Sequence, residues 1–355
     1  MRILIVNPFG IGDVLFSLPL VYALRQLHPK AYISFLCNRR TEEIVRVWKP
    51  LDYVSVFEKD EFRAAWKRSK KEGLLHLKKT IEQIRSEKID VLVDLSLGWQ
   101  IGFSATLAGI KKRIGFDFKN RGRFLTHRIP IQGFHTKPVH DYYLDLLPLM
   151  SLHKPSSVRH DFELPPGTEA LSNRILGEKG ISQNDKLAAL IPGGGASWGP
   201  NAAYKQWPAP HFAEIADQIC GKYGARILLL GDRQEQPLCE MVVRQSRSNP
   251  VTLTDIPSLI AVAGILKRCS FVVGNDSGLM HLAAALGTKT VTIFGPVDGA
   301  VYGPLPGNPG HRIVAKGLVC RPCYQKFRFP PCPWENACLK KLMPEEVLSA
   351  VGAVT

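Results

Sequence analysis

Short apolar runs alternate with longer amphipathic segments along the whole chain. The short runs have the length of buried strands, and the segments between them carry apolar residues at helical spacing. Such an alternation predicts parallel sheets covered by helices, which is the α/β class. The predicted strands are residues 2–7, 31–36, 53–57, 91–95, 187–191, 226–230, 251–253, 271–274 and 290–294.

A proline-rich stretch interrupts this pattern after Leu147. It includes His153-Lys-Pro-Ser-Ser and Glu163-Leu-Pro-Pro-Gly, whose composition is typical of a linker between domains. We therefore predict two doubly wound domains, 1–160 and 161–340, whose strand ends surround a shared central cleft. Pro344 followed by two glutamates predicts a last helix within 341–355, which we expect to pack back on the first domain.

The composition is typical of a soluble globular protein, since 45% of the 355 residues are apolar and 22% are charged. The first apolar run is too short for a secretory signal, and no run approaches the ~20 residues needed to span a bilayer. Both observations predict a cytoplasmic protein.

The formal net charge of +15 indicates an anionic partner, such as nucleic acid, an acidic membrane surface or a phosphorylated ligand. Basic residues are densest in one predicted helix that ends near Glu87. A solvated helix face is the ordinary interpretation, but Phe62 and Trp66 favour a partner that is both acidic and apolar. The basic residues of this block are Arg63, Lys67, Arg68, Lys70, Lys71, Lys78 and Lys79.

Four cysteines near the C-terminus have the spacing C-x2-C-x8-C-x5-C. This pattern can hold a structural zinc ion through four thiolates, or close disulfides under oxidising conditions. The four residues are Cys320, Cys323, Cys332 and Cys338.

The segment that begins at Phe271 runs from an apolar strand through a small polar turn into a helix. Asp276, Ser277 and Gly278 form the turn, and His281 follows on the helix. Backbone N–H groups at the start of a helix lack internal partners, and the helix dipole favours an anion there. The turn therefore predicts a phosphate site, although an ordinary helix capped by Asp276 or Ser277 has the same sequence.

Two further loops follow predicted strands. Gly193, Gly194 and Gly195 expose backbone N–H groups, and Lys205 can reach a diphosphate and neutralise its charge. A flexible solvent loop is the alternative. In the first domain, Gly12 permits a tight turn before Asp13, which can accept a proton from a hydroxyl group or can merely cap the helix.

Several common nucleotide motifs are absent from the sequence. There is no D-x-D pair to hold a divalent metal against a diphosphate, and no Walker P-loop. A diphosphate bound by this chain is therefore expected to be neutralised by lysine, helix termini and backbone amides.

In combination, the motifs resemble glycosyltransferase family 9, the bacterial lipopolysaccharide heptosyltransferases. They are Gly12-Asp-Val-Leu, Lys205-Gln-Trp-Pro, Asp276-Ser-Gly-Leu-Met-His-Leu-Ala-Ala-Ala and Thr292-Ile-Phe-Gly-Pro, in order along nearly the whole chain. The resemblance implies a GT-B architecture of two Rossmann-like domains facing a central cleft, with the acceptor on the first and an ADP-sugar on the second. The glycine-rich segment is most similar to the second heptosyltransferase of the core pathway.

The resemblance also implies an activity and its partners. The family usually transfers heptose from ADP-L-glycero-D-manno-heptose, with inversion and without any cofactor or metal ion for catalysis. The acceptor is a phosphorylated glycolipid, the lipopolysaccharide inner core. This implies peripheral contact with the cytoplasmic face of the inner membrane and no nucleic-acid partner.

Roles for single residues follow from the same resemblance. Asp13 matches the general base, and Lys205 the phosphate-binding lysine. The donor segment is matched by Asp276, Ser277, Gly278 and His281, with Gly193, Gly194, Gly195, Asp232 and Glu235 also assigned to the nucleotide-sugar. The acceptor region is matched by Gly12, Arg63, Lys67, Arg68, Lys70 and Lys71.

Two alternatives stay open from the sequence. One is a nucleotide-sugar epimerase on the same architecture. The other is a basic, zinc-containing nucleic-acid-binding protein, although the chain has no recognisable module for reading nucleic acid.

Overall fold

Two sheets of six parallel strands organise the protein, one in each half of the chain. The computed structural model describes residues 1–304 and 308–355, apart from the side chains of residues 63, 196, 197 and 200. The chain divides into two units, Met1–His160 and Asp161–Thr355. The predicted division lay between residues 160 and 161.

The first unit has the strand order β3-β2-β1-β4-β5-β6. Its strands are β1 (Arg2–Val6), β2 (Tyr32–Cys37), β3 (Tyr53–Val56), β4 (Val91–Asp94), β5 (Lys112–Phe118) and β6 (His127–Ile131). Its helices are α1 (Ile11–Phe16), α2 (Leu18–Leu27), α3 (Arg39–Arg46), α4 (Lys59–Arg68), α5 (Lys70–Ser86), α6 (Trp99–Leu107) and α7 (Val139–Leu144), and a 3-10 turn spans Pro148–Met150.

The second unit has the strand order β12-β11-β10-β7-β8-β9. Its strands are β7 (Leu187–Ile191), β8 (Arg226–Leu230), β9 (Val251–Leu253), β10 (Phe271–Asn275), β11 (Lys289–Ile293) and β12 (His311–Val314). Its helices are α8 (Thr168–Glu178), α9 (Ala209–Tyr223), α10 (Gln236–Gln245), α11 (Leu259–Arg268), α12 (Gly278–Ala285), α13 (Gly299–Tyr302), α14 (Ala337–Lys340) and α15 (Pro344–Gly352). A 3-10 segment, Ala196–Lys205, is kinked at Gly199.

The strand order reverses at one point in each sheet. In the first unit β1 lies between β2 and β4, and in the second unit β7 lies between β8 and β10. The strands at these points are almost wholly buried, as expected when helices cover both faces of a parallel sheet. The predicted doubly wound α/β fold is confirmed in both units. Ligands of such sheets bind beyond the carboxyl ends of the strands at the reversal.

Three strands lie outside the predicted set: β5, β6 and β12. Two of them, β6 and β12, form sheet edges and are only partly buried, so they lack a continuous apolar run. Gly115 lies inside β5, where a Cβ atom would come 2.4 Å from the Asp94 carbonyl oxygen. Polar edge strands and an internal glycine weaken the strand pattern in a sequence.

The predicted single basic helix is two helices, α4 and α5. Ser69 separates them with extended backbone angles, and its side chain accepts a hydrogen bond from the Lys71 N–H group at 3.2 Å. Serine competes for backbone hydrogen bonds and favours the start of a helix over its interior. The prediction of one continuous helix was therefore wrong at this residue.

The last helix, α15, starts at Pro344 as predicted, but the structure assigns it to the second unit. Val347 and Val351 are fully buried in the core of that unit, together with α9 side chains such as Phe212 and Ile219. Its packing on the first domain stays a prediction. No helix among the described residues has the length and apolarity to cross a bilayer.

Candidate active site

The sequence motifs of the second unit follow the two strands at which its order reverses. The glycine-rich loop and Lys205 come after β7, and Asp276 comes after β10. The Lys205 ammonium lies 2.7 Å from Asp276 Oδ2, and both side chains are buried. His281 Nε2 lies 3.5 Å from the other carboxylate oxygen, Oδ1. The fold thus brings three predicted residues into one buried cluster.

Asp276 carries its charge because of this cluster. Burial alone raises the pKa of a carboxyl group, but the neighbouring Lys205 ammonium and His281 hold the pKa of Asp276 below its ordinary value. Lys205 Nζ also lies 4.6 Å from the centre of the Trp198 ring. An ammonium group has three N–H donors, so pairing with Asp276 leaves it capacity to bind an anion.

The start of α12 carries a buried hydroxyl group whose hydrogen-bonding capacity is unused. Ser277 occupies the N-cap position, yet its side chain makes no capping hydrogen bond. Its hydroxyl oxygen is buried and has no hydrogen-bond partner among the residues that the structure describes. Since buried polar groups are nearly always paired, this hydroxyl and the first N–H groups of α12 form a site that suits a phosphate. The Ser277 side chain therefore does not cap the helix, as it would if this turn were only an ordinary helix start.

Asn275, at the end of β10, connects this strand to the glycine-rich loop that follows β7. This residue was not identified from the sequence. Its Oδ1 accepts a hydrogen bond from the Trp207 N–H group at 3.1 Å. Its Nδ2 donates to the Pro192 carbonyl oxygen at 2.7 Å. A polar residue at the end of an otherwise apolar strand was the available signal, because such a side chain can bond only to the loops beyond the sheet.

Glu235 braces the glycine-rich loop. Its carboxylate accepts N–H groups from Gly195 at 3.2 Å and Asp232 at 3.1 Å. Burial raises the pKa of Glu235. Asp232 Oδ1 in turn accepts the Glu235 N–H group at 3.1 Å. Both acids bond to backbone in this structure, and their proximity to the ribose or adenine stays a prediction.

Gly193 leaves the space that the Glu235 carboxylate fills. A Cβ atom at Gly193 would lie 1.9 Å from Glu235 Oε1. We expect Gly193→Ala to lower the free energy of unfolding by about 1–3 kcal/mol and to weaken ADP binding, because the brace must move. Urea unfolding and calorimetric ADP titration measure the two effects.

Gly177→Ala is the control for this substitution. Gly177 lies in α8 with no atom within 4 Å of the added Cβ, so alanine there is expected to be neutral or stabilising. If Gly193→Ala behaves in the same way, Glu235 does not fix the loop.

Aromatic rings connect the glycine-rich loop to the cysteine-containing segment. Trp198 and Tyr324 have ring centres 5.3 Å apart, and Tyr204 and Phe329 have theirs 5.6 Å apart. Phe329 also lies 5.0 Å from Trp198. The C-terminal segment therefore supports the loop that carries Lys205.

The four clustered cysteines line one small cavity beside Arg321. The Arg321 guanidinium donates hydrogen bonds to the carbonyl oxygens of Gly295, Lys316 and Val297, which fix the segment to the sheet. Within residues 1–304 and 308–355, no group of three or more His, Cys, Asp or Glu side chains is arranged to hold a metal ion. Every cysteine of this described part is a free thiol. The thiols as placed thus fit neither the predicted zinc ion nor the alternative disulfides.

In the first unit, Asp13 follows β1, one of the strands at the reversal. It lies in the first turn of α1, next to Gly12, and its carbonyl oxygen accepts a hydrogen bond from Asn7 Nδ2 at 2.9 Å. Burial and, to a smaller extent, the charge of the neighbouring Asp13 raise the pKa of the Tyr143 phenol well above its ordinary value. Asn7 and Tyr143 were not identified from the sequence.

Asp94 is a second carboxyl group at the reversal of the first sheet, and it was also missed. It ends β4 and lies opposite Val6 of β1 in the strand register. Burial raises its pKa to about 6, despite a hydrogen bond from the Ser96 N–H group at 2.8 Å and the charge of Lys59. An acidic residue that ends an apolar strand was the available signal.

Asp94 is expected to make stability depend on pH. Its raised folded-state pKa contributes stability that is complete below the unfolded-state value near 4 and is lost as the pH rises through about 6. Asp94→Asn removes this loss, so the variant should gain about 3 kcal/mol relative to the wild type between pH 4 and pH 7. Urea unfolding at several pH values measures the difference. A difference that stays constant over this range contradicts the prediction.

Four of the six predicted acceptor-binding residues are exposed on α4 and α5, and a fifth, Gly12, lies in α1. Lys67 and Arg68 end α4, Lys70 and Lys71 begin α5, and the Arg63 side chain lies outside the described residues. Lys59, the first residue of α4, places its ammonium 4.4 Å from the ring centre of Phe9. The α4 helix therefore begins beside the loop that leads to Asp13.

Comparison with known proteins identifies one family. A family model described as "Glycosyltransferase family 9 (heptosyltransferase)" matches residues 77–329. Lipooligosaccharide heptosyltransferase 2 of Campylobacter jejuni is 25% identical over 98% of this chain and 96% of its own length. In fold, the chain is similar to ADP-heptose lipopolysaccharide heptosyltransferase II of Escherichia coli, with a TM-score of 0.76, 20% identity and coverage of 100% and 98% of the two chains. A family 9 glycosyl transferase from Veillonella parvula gives a TM-score of 0.80, 20% identity and coverage of 99% and 96%.

Proposed function

The chain belongs to glycosyltransferase family 9, the heptosyltransferases, and from this membership we propose that it transfers heptose from ADP-L-glycero-D-manno-heptose to the inner core of lipopolysaccharide. The enzyme class follows from the family itself. The donor, the acceptor, inversion and independence of metal ions are the parts proposed here. The alternatives of an epimerase and of a nucleic-acid-binding protein are set aside, because the family consists of glycosyltransferases.

The observation that carries the donor assignment is the buried cluster of the second unit. Lys205 supplies a positive charge beside the start of α12, where the buried Ser277 hydroxyl has no partner among the described residues. A diphosphate supplies the negative charge and the acceptor oxygens that these groups lack. As the bond to the sugar breaks, the same groups stabilise the charge that develops on the departing ADP.

The base in this proposal is Asp13. Its carboxylate accepts the proton of the acceptor hydroxyl while that oxygen attacks the anomeric carbon from the side opposite ADP, which inverts the configuration. The helix α1 presents Asp13 in its first turn, and Asn7 holds the backbone of that turn.

The charged side chains of the cluster support independence of metal ions. The sequence has no D-x-D pair to grip a divalent ion, and Lys205 lies where a charge is needed. Asp276, the nearest carboxylate, is already engaged by Lys205 and His281.

The names of related proteins support the proposed acceptor. The similar protein of Campylobacter jejuni is named for lipooligosaccharide, and others from Escherichia coli and Salmonella typhimurium are named for lipopolysaccharide. The acceptor is accordingly a phosphorylated glycolipid, and we place the enzyme in the cytoplasm, at the cytoplasmic face of the inner membrane.

Purified protein tests the proposal directly. It is incubated with ADP-heptose and a truncated lipopolysaccharide that lacks its outer heptoses, with and without EDTA, and the glycolipid is analysed by mass spectrometry. We expect one added heptose, released ADP and no effect of EDTA. Loss of transfer in EDTA contradicts metal independence, and a changed donor sugar without any acceptor supports epimerisation instead.

A further inference from the structure

Apolar side chains are exposed around the junction of α4 and α5. Trp66 is 42% exposed, Leu74 is 56% exposed and Leu75 is 52% exposed. Eleven large hydrophobic residues of the described chain are exposed in this way, and three of them lie within these ten consecutive positions. Single exposed leucines are common on protein surfaces, but a cluster of exposed apolar side chains indicates a contact.

Basic side chains surround this apolar patch. Residues 63–79 contain seven lysines and arginines and a single acidic residue, Glu72, which pairs with Arg68 at 3.1 Å. Lys78 lies 3.8 Å from Glu82. In the described part of the chain, no carboxylate forms an ion pair with Lys67, Lys70, Lys71 or Lys79. Their charges are therefore available to an external partner.

The packing of α5 fixes which way these residues face. Its buried side is formed by Gly73, Leu77, Thr80 and Ile84. Leu74 and Leu75 consequently lie on the solvent side, in the same turns as Lys71, Lys78 and Lys79. Exposed leucines bordered by lysines on one face are typical of a helix that lies in a membrane interface.

Trp66 is held at the junction by close packing. A Cβ atom at Gly73 would lie 2.0 Å from Cε3 of the Trp66 ring, so glycine permits the ring to cover the start of α5. The ring also stacks on Phe62, with the centres 6.1 Å apart. The indole is therefore fixed in place and still partly exposed, as is usual for tryptophan at the level of lipid headgroups.

We infer that the solvent face of α4 and α5, formed by Trp66, Leu74, Leu75 and the surrounding lysines, docks on an anionic lipid bilayer. The lysines match the phosphates of the headgroups, and the two leucines and the indole enter the boundary of the acyl region. Nucleic acid or an acidic protein surface satisfies the lysines and leaves adjacent leucines in water. The sequence prediction assigned Lys67, Lys70 and Lys71 to the acceptor, whereas here they bind the surrounding lipid.

Docking on a bilayer deepens the proposed function, because it would bring the enzyme to an acceptor that is embedded in lipid. Only this link to the acceptor rests on the proposed function. Lys59 connects the start of α4 to Phe9, beside the loop that carries Asp13. A unit docked through α4 and α5 is thus held on the surface in which such an acceptor is embedded.

Vesicle binding tests the docking surface. The full chain is sedimented with vesicles of phosphatidylglycerol and phosphatidylcholine, or with phosphatidylcholine alone. We expect binding only to the anionic vesicles, and loss of that binding in high salt. Lys78→Gln with Lys79→Gln should weaken binding about 5-fold to 25-fold, since each lysine near an anionic surface contributes a factor of about five and the charge of Lys78 is partly neutralised by Glu82. Leu74→Gln with Leu75→Gln should weaken it at least about tenfold.

A matched control has the same change in net charge at another place. Lys179 and Lys267 are exposed in the second unit, and replacing both by glutamine should alter binding by less than about twofold. Glutamine is compatible with helices, and circular dichroism verifies that each variant is folded. The inference is overturned if the wild type does not bind anionic vesicles, or if the α5 variants bind as tightly as the control.

Transfer to a deacylated, water-soluble acceptor separates docking from acceptor recognition. We expect the α5 variants to retain wild-type kcat/KM on this acceptor and to lose activity only on acceptor embedded in vesicles. An equal loss on the soluble acceptor shows an acceptor subsite and refutes lipid docking. If the wild type transfers no heptose at all, the proposed function fails, while vesicle binding still decides this inference.

Discussion

Replacing Asp13 by asparagine is expected to lower kcat by roughly 10²–10⁴-fold and to leave ADP affinity unchanged, because general-base catalysis contributes a factor of this size. Asparagine keeps the shape of the side chain and the backbone hydrogen bond from Asn7 to residue 13. It cannot accept the proton of the acceptor hydroxyl. ADP release measured with acceptor present gives kcat, and calorimetric titration gives the affinity for ADP.

Asp141→Asn is the matched control for this change. Asp141 is the third residue of α7, a six-residue helix of the same unit, as Asp13 is the third residue of six-residue α1. Its replacement should alter kcat by less than about threefold, which is the size of effect expected for a substitution away from the reaction. Transfer retained by Asp13→Asn excludes Asp13 as the base, and loss of ADP binding in that variant shows a structural role instead.

Lys205→Met is expected to damage both the activity and the fold. Removing the ammonium takes away the charge beside the proposed diphosphate site, which should lower kcat/KM by roughly 10²–10³-fold. It also leaves Asp276 buried without its partner at 2.7 Å, which should lower the free energy of unfolding by about 3–5 kcal/mol. Steady-state kinetics and urea unfolding measure the two losses separately.

A double variant distinguishes the two roles of Lys205. Adding Asp276→Asn removes the stranded charge, so stability should recover while transfer stays low. Lys316→Met serves as the control, because its ion pair with Glu346 is exposed and should contribute at most about 1 kcal/mol. Activity restored in the double variant refutes a phosphate role for Lys205. Unchanged stability in Lys205→Met refutes the structural role of the pair.

The central strands could be predicted from the sequence because they are buried on both faces. β7, β8 and β9 begin and end where the apolar runs predicted them. The missed strands β6 and β12 are edges, where only one neighbour strand pairs and polar residues such as His127 and Arg312 are tolerated. Edge strands are held by backbone hydrogen bonds to one neighbour and do not need buried side chains on both faces. A pattern of apolar residues therefore cannot reveal them.

The loops of the candidate site could be predicted because each follows a strand at the reversal of a sheet. Their side-chain partners could not, since those depend on residues distant in sequence. Lys205 and Asp276 are separated by 71 positions and meet through the pairing of β7 with β10. The brace formed by Glu235 and the bonds of Asn275 likewise arise only when the loops are folded against one another.

The remaining differences between the sequence predictions and the structure have separate physical causes. Ser69 lies inside a segment with helical spacing, and only its hydrogen bond to the Lys71 N–H group reveals the break between α4 and α5. The apolar side of α15 is predictable from the positions of Val347 and Val351, but the surface that it covers is not. The cysteine spacing indicated a shared location, and the four side chains do line one cavity without the arrangement of a metal site.

The two units wind their strands in the same order, and each encloses its own core. Each half therefore has its own complete sheet with one reversal of strand order, and neither sheet contains a strand of the other half. In the proposed mechanism the base lies on one half and the diphosphate cluster on the other, so we expect that substitutions around α1 can change the range of accepted glycolipids without disturbing the leaving-group chemistry. Such a layout makes the enzyme modular in evolution, and it makes chimeras joined near His160 a natural way to engineer new acceptor preferences.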